Sequence, residues 1–250
     1  LSATACLFAS LLSGCHGARH VEITVSVAAS LTGTIEQVES SYTKIHPEIT
    51  FRNNFGSSGA LARQIEQGAP VDVLLAAGAK PVDQLVAKGL IAAGQNRILL
   101  HNQLVLIVPE GTTITSLNHL SQKQVKKIAL GDPRSVPAGL YALQTLKGAK
   151  LDAALKEKFV FAKDVRQVLA YVESGNAEAG FVYATDARLS SKAHVAQTID
   201  DAAHDPIVYP VAVVAQSAHA TEARAFSDFL FSSSAAQVFA GKGFITAAHE

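Results

Sequence analysis

The chain contains no Trp and no Met, and its only Cys residues, Cys6 and Cys15, both fall within the first fifteen positions. Past them no thiol remains for a disulfide or a Cys-bound metal. None of the 9 His stands in a His-Glu-x-x-His signature, so no zinc-protease motif is present. Charge is also sparse: 17% of residues are charged, below the usual quarter, and 21 basic residues cancel 21 acidic ones. A nucleic-acid binder needs a basic face to displace the counterions of phosphates, and this composition supplies none. What is abundant is apolar. With 48% hydrophobic residues, 17 Gly and 8 Pro in 250 positions, the chain is globular and not disordered, and it is long enough for one large domain or two modest ones.

Leu1–Leu12 (LSATACLFASLL) is an apolar run too short to span a bilayer as a helix. Followed by the small residues of Leu12-Ser13-Gly14-Cys15, it reads as the core of an export signal. That tetrapeptide resembles the bacterial lipobox, in which the signal is cut before the Cys and the thiol is acylated. The expectation is therefore a lipoprotein-type signal peptide with a truncated start over 1–14, and a polar tether over 15–20. Acylation of Cys15 would hold the protein at a membrane surface, because no later segment is long enough to cross one.

Beyond the tether, strands and helices alternate. Val21–Ala28, Glu48–Phe55 and Val71–Ala76 read as strands. Helices are expected over Leu31–Ile45, Ala60–Gln67 and Pro81–Lys88, the last two stopped by Gly68 and Gly89. Crossovers of this kind indicate parallel strands with helices on both faces of a sheet. A second series begins after the apolar run 104–108, with strands at Lys127–Leu130, Phe159–Ala162 and Glu178–Val182 and helices at Ala138–Leu146 and Val165–Glu173. It is followed by a second apolar run, Ile207–Ala215, and by helices at Thr221–Phe231 and Ala235–Ala240. Two long apolar strands bracketing an α/β series suggest a chain that leaves one lobe, builds another and returns. The expected division is 21–103 plus 212–250 for the first lobe and 104–211 for the second.

In open α/β sheets, ligands bind beyond the carboxyl ends of strands, where following helices present unpaired N–H groups and a positive dipole end. Small neutral donors stand at those junctions here: Ser30 after the first strand, and Ser57 and Ser58 after the second. In the second series Pro137, at a first helical position, leaves the Ala138 N–H facing outward. Asp164 can cap the helix that begins at Val165, whose N–H is also unpaired, and Tyr183 ends a strand with a phenol. Each has a bland reading. Serine is a preferred cap worth about 1 kcal/mol, and a Tyr is commonly a core residue. As a set, Ser30, Ser58, Ala138, Val165 and Tyr183 would converge in a cleft between two lobes.

The segments AASL (28–31), FGSSGALARQIEQGAPVDVLLAA (55–77), GDPRSVPAGLYA (131–142), DVRQVLAYVE (164–173), GFVYATDA (180–187) and YPVAVV (209–214) resemble the molybdate-binding proteins of bacterial ABC importers. The likeness runs in order from about Val21 to Phe244. It implies an α/β, two-lobed periplasmic binding protein of the second type, each lobe a mostly parallel sheet flanked by helices, with two crossing strands as hinge. The family's oxyanion positions match the same five residues, Ser30, Ser58, Ala138, Val165 and Tyr183. Where the family often has Phe-Ala-Ser-Ser-Ser, this chain has Phe55-Gly56-Ser57-Ser58-Gly59, which keeps the matching Ser58 between looser neighbours.

The resemblance implies a monomeric protein without a cofactor or direct metal ligand, placed in the periplasm or on the outer side of the cytoplasmic membrane. Its partners would be the molybdate oxyanion, with tungstate as a near twin, and the membrane subunits of the importer; nucleic acid would not be among them. A dianion that is fully deprotonated at neutral pH offers only acceptors, and hydroxyls with backbone N–H groups are its complement. Phosphate, which keeps a proton near neutrality, favours a site containing an acceptor. Sulfate or another tetrahedral oxyanion is the alternative cargo. An esterase is disfavoured because Gly56-Ser57-Ser58-Gly59-Ala60 lacks the last Gly of the nucleophile elbow.

Overall fold

The structure, a computed structural model, describes residues 20–246. The signal-like leader and Cys15 lie outside the described residues.

The first lobe opens with β1 (Val21–Ala28), α1 (Thr34–Thr43), β2 (Ile49–Gly56), α2 (Ser58–Glu66), β3 (Val73–Leu75), α3 (Ala79–Ala87) and β4 (Ile91–His101). The second holds β5 (Leu104–Pro109), β6 (Ile128–Gly131), α4 (Pro137–Gly148), α5 (Asp152–Leu155), β7 (Phe159–Ala162), α6 (Val165–Glu173), β8 (Ala179–Tyr183), α7 (Ala184–Ala187) and β9 (Ala193–Thr198). The chain then returns as β10 (Val208–Val214), α8 (Ala220–Phe229), α9 (Ser233–Gly241) and β11 (Ile245–Thr246).

Two sheets result, ordered β11-β4-β10-β3-β1-β2 and β7-β6-β8-β5-β9. Both are mixed. The βαβ portions, β2-β1-β3 and β7-β6-β8, are parallel, whereas β10, β4 and β11 in the first lobe and β5 and β9 in the second pair antiparallel. β1 lies inside the first sheet between β3 and β2, and its Ile23, Val25 and Val27 are fully buried. Its apolar residues alternate with Glu22, Thr24 and Ser26, and burial becomes complete on both faces from Val25 onward. One face of its sheet packs on α1, α8 and α9, with Tyr42, Phe51 and Phe226 stacked at 4.5–6.0 Å. The other packs on α2 and α3 through Leu61, Ile65, Val82 and Leu85.

The return crossing differs from the sequence reading. The apolar stretch 98–108 breaks at Asn102–Gln103 into two strands of different sheets. β10 pairs with β3 and β4 from Val208 onward, so the first lobe resumes there and not at 212. Ile207–Ala215 is apolar because it fills the middle of a sheet. The return crossing itself is the more polar segment 199–207. Asn102 N–H reaches the Ile207 carbonyl at 3.4 Å, tying the two crossings together.

Candidate functional site

Both parallel sets end at the cleft between the lobes, so the junctions that follow β1, β2, β6, β7 and β8 face one another. Ser30, Ser58, Val165 and Tyr183 line one small pocket together with Ser57, Ala77 and Pro137. Its cavity volume is about 10 Å³, the space of about one water and far below the roughly 300–1,000 Å³ of pockets for organic ligands. Its walls must part to admit any ion, and a small one is the size class nearest to this space. Ala138 is placed differently: it is fully buried as the second residue of α4, and the wall is formed by Val136 and Pro137 just before it. The carbonyl four residues back lies outside the helix, so the Ala138 N–H belongs to the orphan donors of the first turn.

The serines are held as donors. Ser58 Oγ accepts the Ala77 N–H at 2.8 Å, which leaves its own proton for another acceptor. Ser30 Oγ lies 3.0 Å from Tyr209 Oη. At α6 the Asp164 carboxylate accepts the Gln167 N–H at 2.9 Å, caps the helix, and leaves the Val165 N–H unpaired by it. Tyr183 differs from the expectation of a ligand donor. Its phenol donates to the Ala77 carbonyl at 3.1 Å across the cleft, so an anion would have to draw that proton away. Burial pushes Tyr183 well above 10, and the phenol stays protonated.

The lobes are in contact. Gly59 N–H donates to the Ser135 carbonyl at 2.9 Å. A Cβ on Gly59 would lie 2.8 Å from that oxygen and 2.9 Å from Ser135 Cα, so only glycine permits this approach.

One functional side chain was missed in the sequence. Arg166, on α6 next to Val165, reaches into the first lobe, where its Nε donates to the Ala29 carbonyl at 3.1 Å. Its Nη2 lies 3.3 Å from the Ser30 carbonyl and 3.2 Å from that of Thr32. Nε also stands 3.1 Å from Oδ1 of Asp186. That carboxylate is fully buried and accepts no well-aligned hydrogen bond at either oxygen. Burial raises Asp186 to about 6 despite the opposing pull of Arg166. The neutral donors therefore have a cation one layer back, behind the turn that carries Ser30. A basic residue in the first turn of a helix opposes the macrodipole, and that was the legible sign of another role.

A larger groove of about 1,000 Å³ lies between α2, α3 and α4. Its walls are mostly apolar atoms, with charges of both signs such as Arg63, Lys80, Glu66 and Asp83. No set of buried donors converges there, so the small pocket is the better candidate. Among the described residues, no group of three or more His, Cys, Asp or Glu gathers to hold a metal.

Two lobes joined by two crossings, meeting over a small pocket of hydroxyls and helix N-termini, define a solute-binding protein. Residues 23–245 match the family model of bacterial extracellular solute-binding proteins, and the chain belongs to that family. It is 42% identical over 228 residues to YvgL of Bacillus subtilis (strain 168), provisionally named an ABC transporter substrate-binding lipoprotein, with 90% of this chain and 87% of that one covered. It is 35% identical over 246 residues to the molybdate-binding protein ModA of Haemophilus influenzae, covering 96% of each. The fold is shared with the periplasmic molybdate-binding protein of Azotobacter vinelandii at a TM-score of 0.80, with 23% identity over 90% of this chain and 100% of that one.

Proposed function

We propose that the protein captures molybdate outside the cytoplasm and delivers it to the membrane subunits of an ABC importer, as a binding protein and not a catalyst. The observation that carries this reading is the pocket itself. It is small and lined by donors: the Ser30 and Ser58 hydroxyls and the first-turn N–H of Val165, with that of Ala138 just behind the wall and the Tyr183 phenol joining once it leaves Ala77. The one carboxylate on its wall, Asp164, caps its own helix. Charge-assisted hydrogen bonds contribute roughly 1.5–3 kcal/mol each, so four or five reach micromolar to nanomolar affinity after the costs of association. Tungstate, of nearly the same size and charge, is accepted by the same groups. No cofactor takes part, since the anion is cargo. The protein acts as a monomer held at the outer face of the membrane through acylated Cys15, a reading supported by the lipobox-like sequence and by the lipoprotein name of the Bacillus relative.

Isothermal titration with molybdate, tungstate, sulfate and phosphate tests the cargo. Replacing Ser58 by Ala removes a charge-assisted bond and is expected to weaken molybdate binding tenfold or more. Unchanged affinity in that variant counts against the pocket.

A further inference from the structure

Behind Ser30 a chain of buried polar groups runs back to the hinge. Asn102, in the two-residue crossing between β4 and β5, accepts the Gln103 N–H on Oδ1 at 2.9 Å. That bond fixes the amide, and both hydrogens of Nδ2 are then committed. One goes to Thr185 Oγ1 at 2.9 Å in the second lobe and the other to Tyr209 Oη at 3.2 Å in the first. Tyr209 has one other polar partner, Ser30 Oγ at 3.0 Å. Ser30, Asn102, Thr185 and Tyr209 are all buried, none more than 6% exposed, so water does not complete the count.

The proton bookkeeping has one solution. A phenol carries a single proton, and its oxygen already accepts from Asn102. If Ser30 also donated to Tyr209, the phenol proton would be buried without an acceptor, which costs about 1–3 kcal/mol. Tyr209 therefore donates to Ser30, and the Ser30 proton must point away from Tyr209, toward the pocket. Burial holds Tyr209 well above 10, so the phenol keeps its proton and the direction does not reverse with pH.

We propose that Asn102 and Tyr209 are positioning residues that aim the Ser30 proton into the pocket and occupy one of its two lone pairs, and that this makes the pocket prefer fully deprotonated oxyanions over protonated ones. The inference rests on the pocket being the oxyanion site. Ser58 is constrained alike by the Ala77 N–H. A hydrogenphosphate ion then meets two serine protons with a proton of its own, and neither hydroxyl can turn to accept it without giving up a bond it already holds. The chain of bonds also starts at the hinge and touches both lobes, through Thr185 in the second and Tyr209 in the first.

Sulfate and hydrogenphosphate test this because they match in size. At pH 8 both carry two negative charges, and only phosphate keeps a proton. Their affinities are measured by competition against molybdate for the wild type, Tyr209→Phe, Asn102→Asp and Ser30→Ala, with folding checked by circular dichroism. Tyr209→Phe frees the Ser30 lone pair. It is expected to weaken molybdate binding about tenfold and to lower the sulfate-to-phosphate affinity ratio at least threefold. The carboxylate introduced by Asn102→Asp can only accept, so it reverses the chain of bonds: Tyr209 donates to that carboxylate, Ser30 donates to Tyr209, and the ratio falls further. Its added charge repels both dianions equally and cancels in the ratio. If either folded variant keeps the ratio within twofold of wild type while all anions weaken together, Tyr209 and Asn102 only fill space and the proposal fails. Ser30→Ala separates the two readings. Full molybdate affinity in that variant removes the pocket assignment, whereas lost affinity with an unmoved ratio in the other two removes only the ordering of the hydroxyl.

Discussion

Replacing Arg166 by Met keeps most of the aliphatic stem and removes the guanidinium that spans the cleft. In the wild type that group meets three carbonyls of the opposite lobe at 3.1–3.3 Å. Charge-assisted bonds contribute roughly 1.5–3 kcal/mol each at best. These are long, share one fork, and belong to a side chain 29% exposed, so about 2–3 kcal/mol in total is a fair sum after solvent screening. The contacts exist only when the lobes meet, so their loss falls on the closed form and passes into the binding free energy. The expected result is molybdate affinity about 30- to 150-fold weaker, with ion preference unchanged because Arg166 does not line the pocket. Asp186, already raised to about 6 by burial, rises further without its partner and becomes neutral, which limits the damage to folding. Arg166→Lys keeps the charge but not the fork and should fall between. Titration calorimetry gives the affinities, and small-angle scattering with and without molybdate gives the compaction. An Arg166→Met protein that binds within threefold of wild type would refute the role of this contact.

Gly59→Ala puts a methyl against the Ser135 backbone and should weaken molybdate binding at least tenfold. The melting temperature without molybdate should stay near that of wild type; a large fall would mean that Gly59 serves the fold instead. Burial pushes Glu39 up from 4.5 to about 7, so between those values the folded chain holds a proton that the unfolded chain has released. Stability therefore falls as pH rises through that window. Glu39→Gln should remove this slope and add about 2–3 kcal/mol at pH 8; urea titrations at pH 5 and pH 8 that show the same slope in both proteins would disprove it.

The elements that could be read from the sequence are those whose burial is regular. β10 is buried throughout, β1 buries Val21, Ile23, Val25 and Val27 at every second position, and α6 presents Val165, Val168, Leu169 and Val172 on one side, all buried. β9 (AHVAQT) was not legible, because an edge strand with mostly half-exposed residues carries little hydrophobic signal. The first half of β4 was missed for the same reason, since Gly94, Gln95 and Asn96 are partly or largely exposed. The candidate ligand groups could be found because they sit at junctions that any open α/β sheet directs toward its cleft. Arg166, Asn102 and Tyr209 act through partners more than 80 positions away; only Arg166 left a local sign, its charge in the first turn of α6, and nothing local names the partners. The return crossing was misplaced because a buried central strand and a crossing strand have the same apolar composition.

The place of β10 in the sheet sets an order of assembly. It lies between β3 and β4, so the first lobe cannot complete its sheet until residues 208–214 have arrived, although its opening strand begins at Val21. The second lobe is continuous in the chain and has no such wait. A polypeptide threaded through a secretion pore in an extended state keeps half of itself unfinished until nearly its whole length has passed, which suits a protein that must reach its working compartment before it becomes compact.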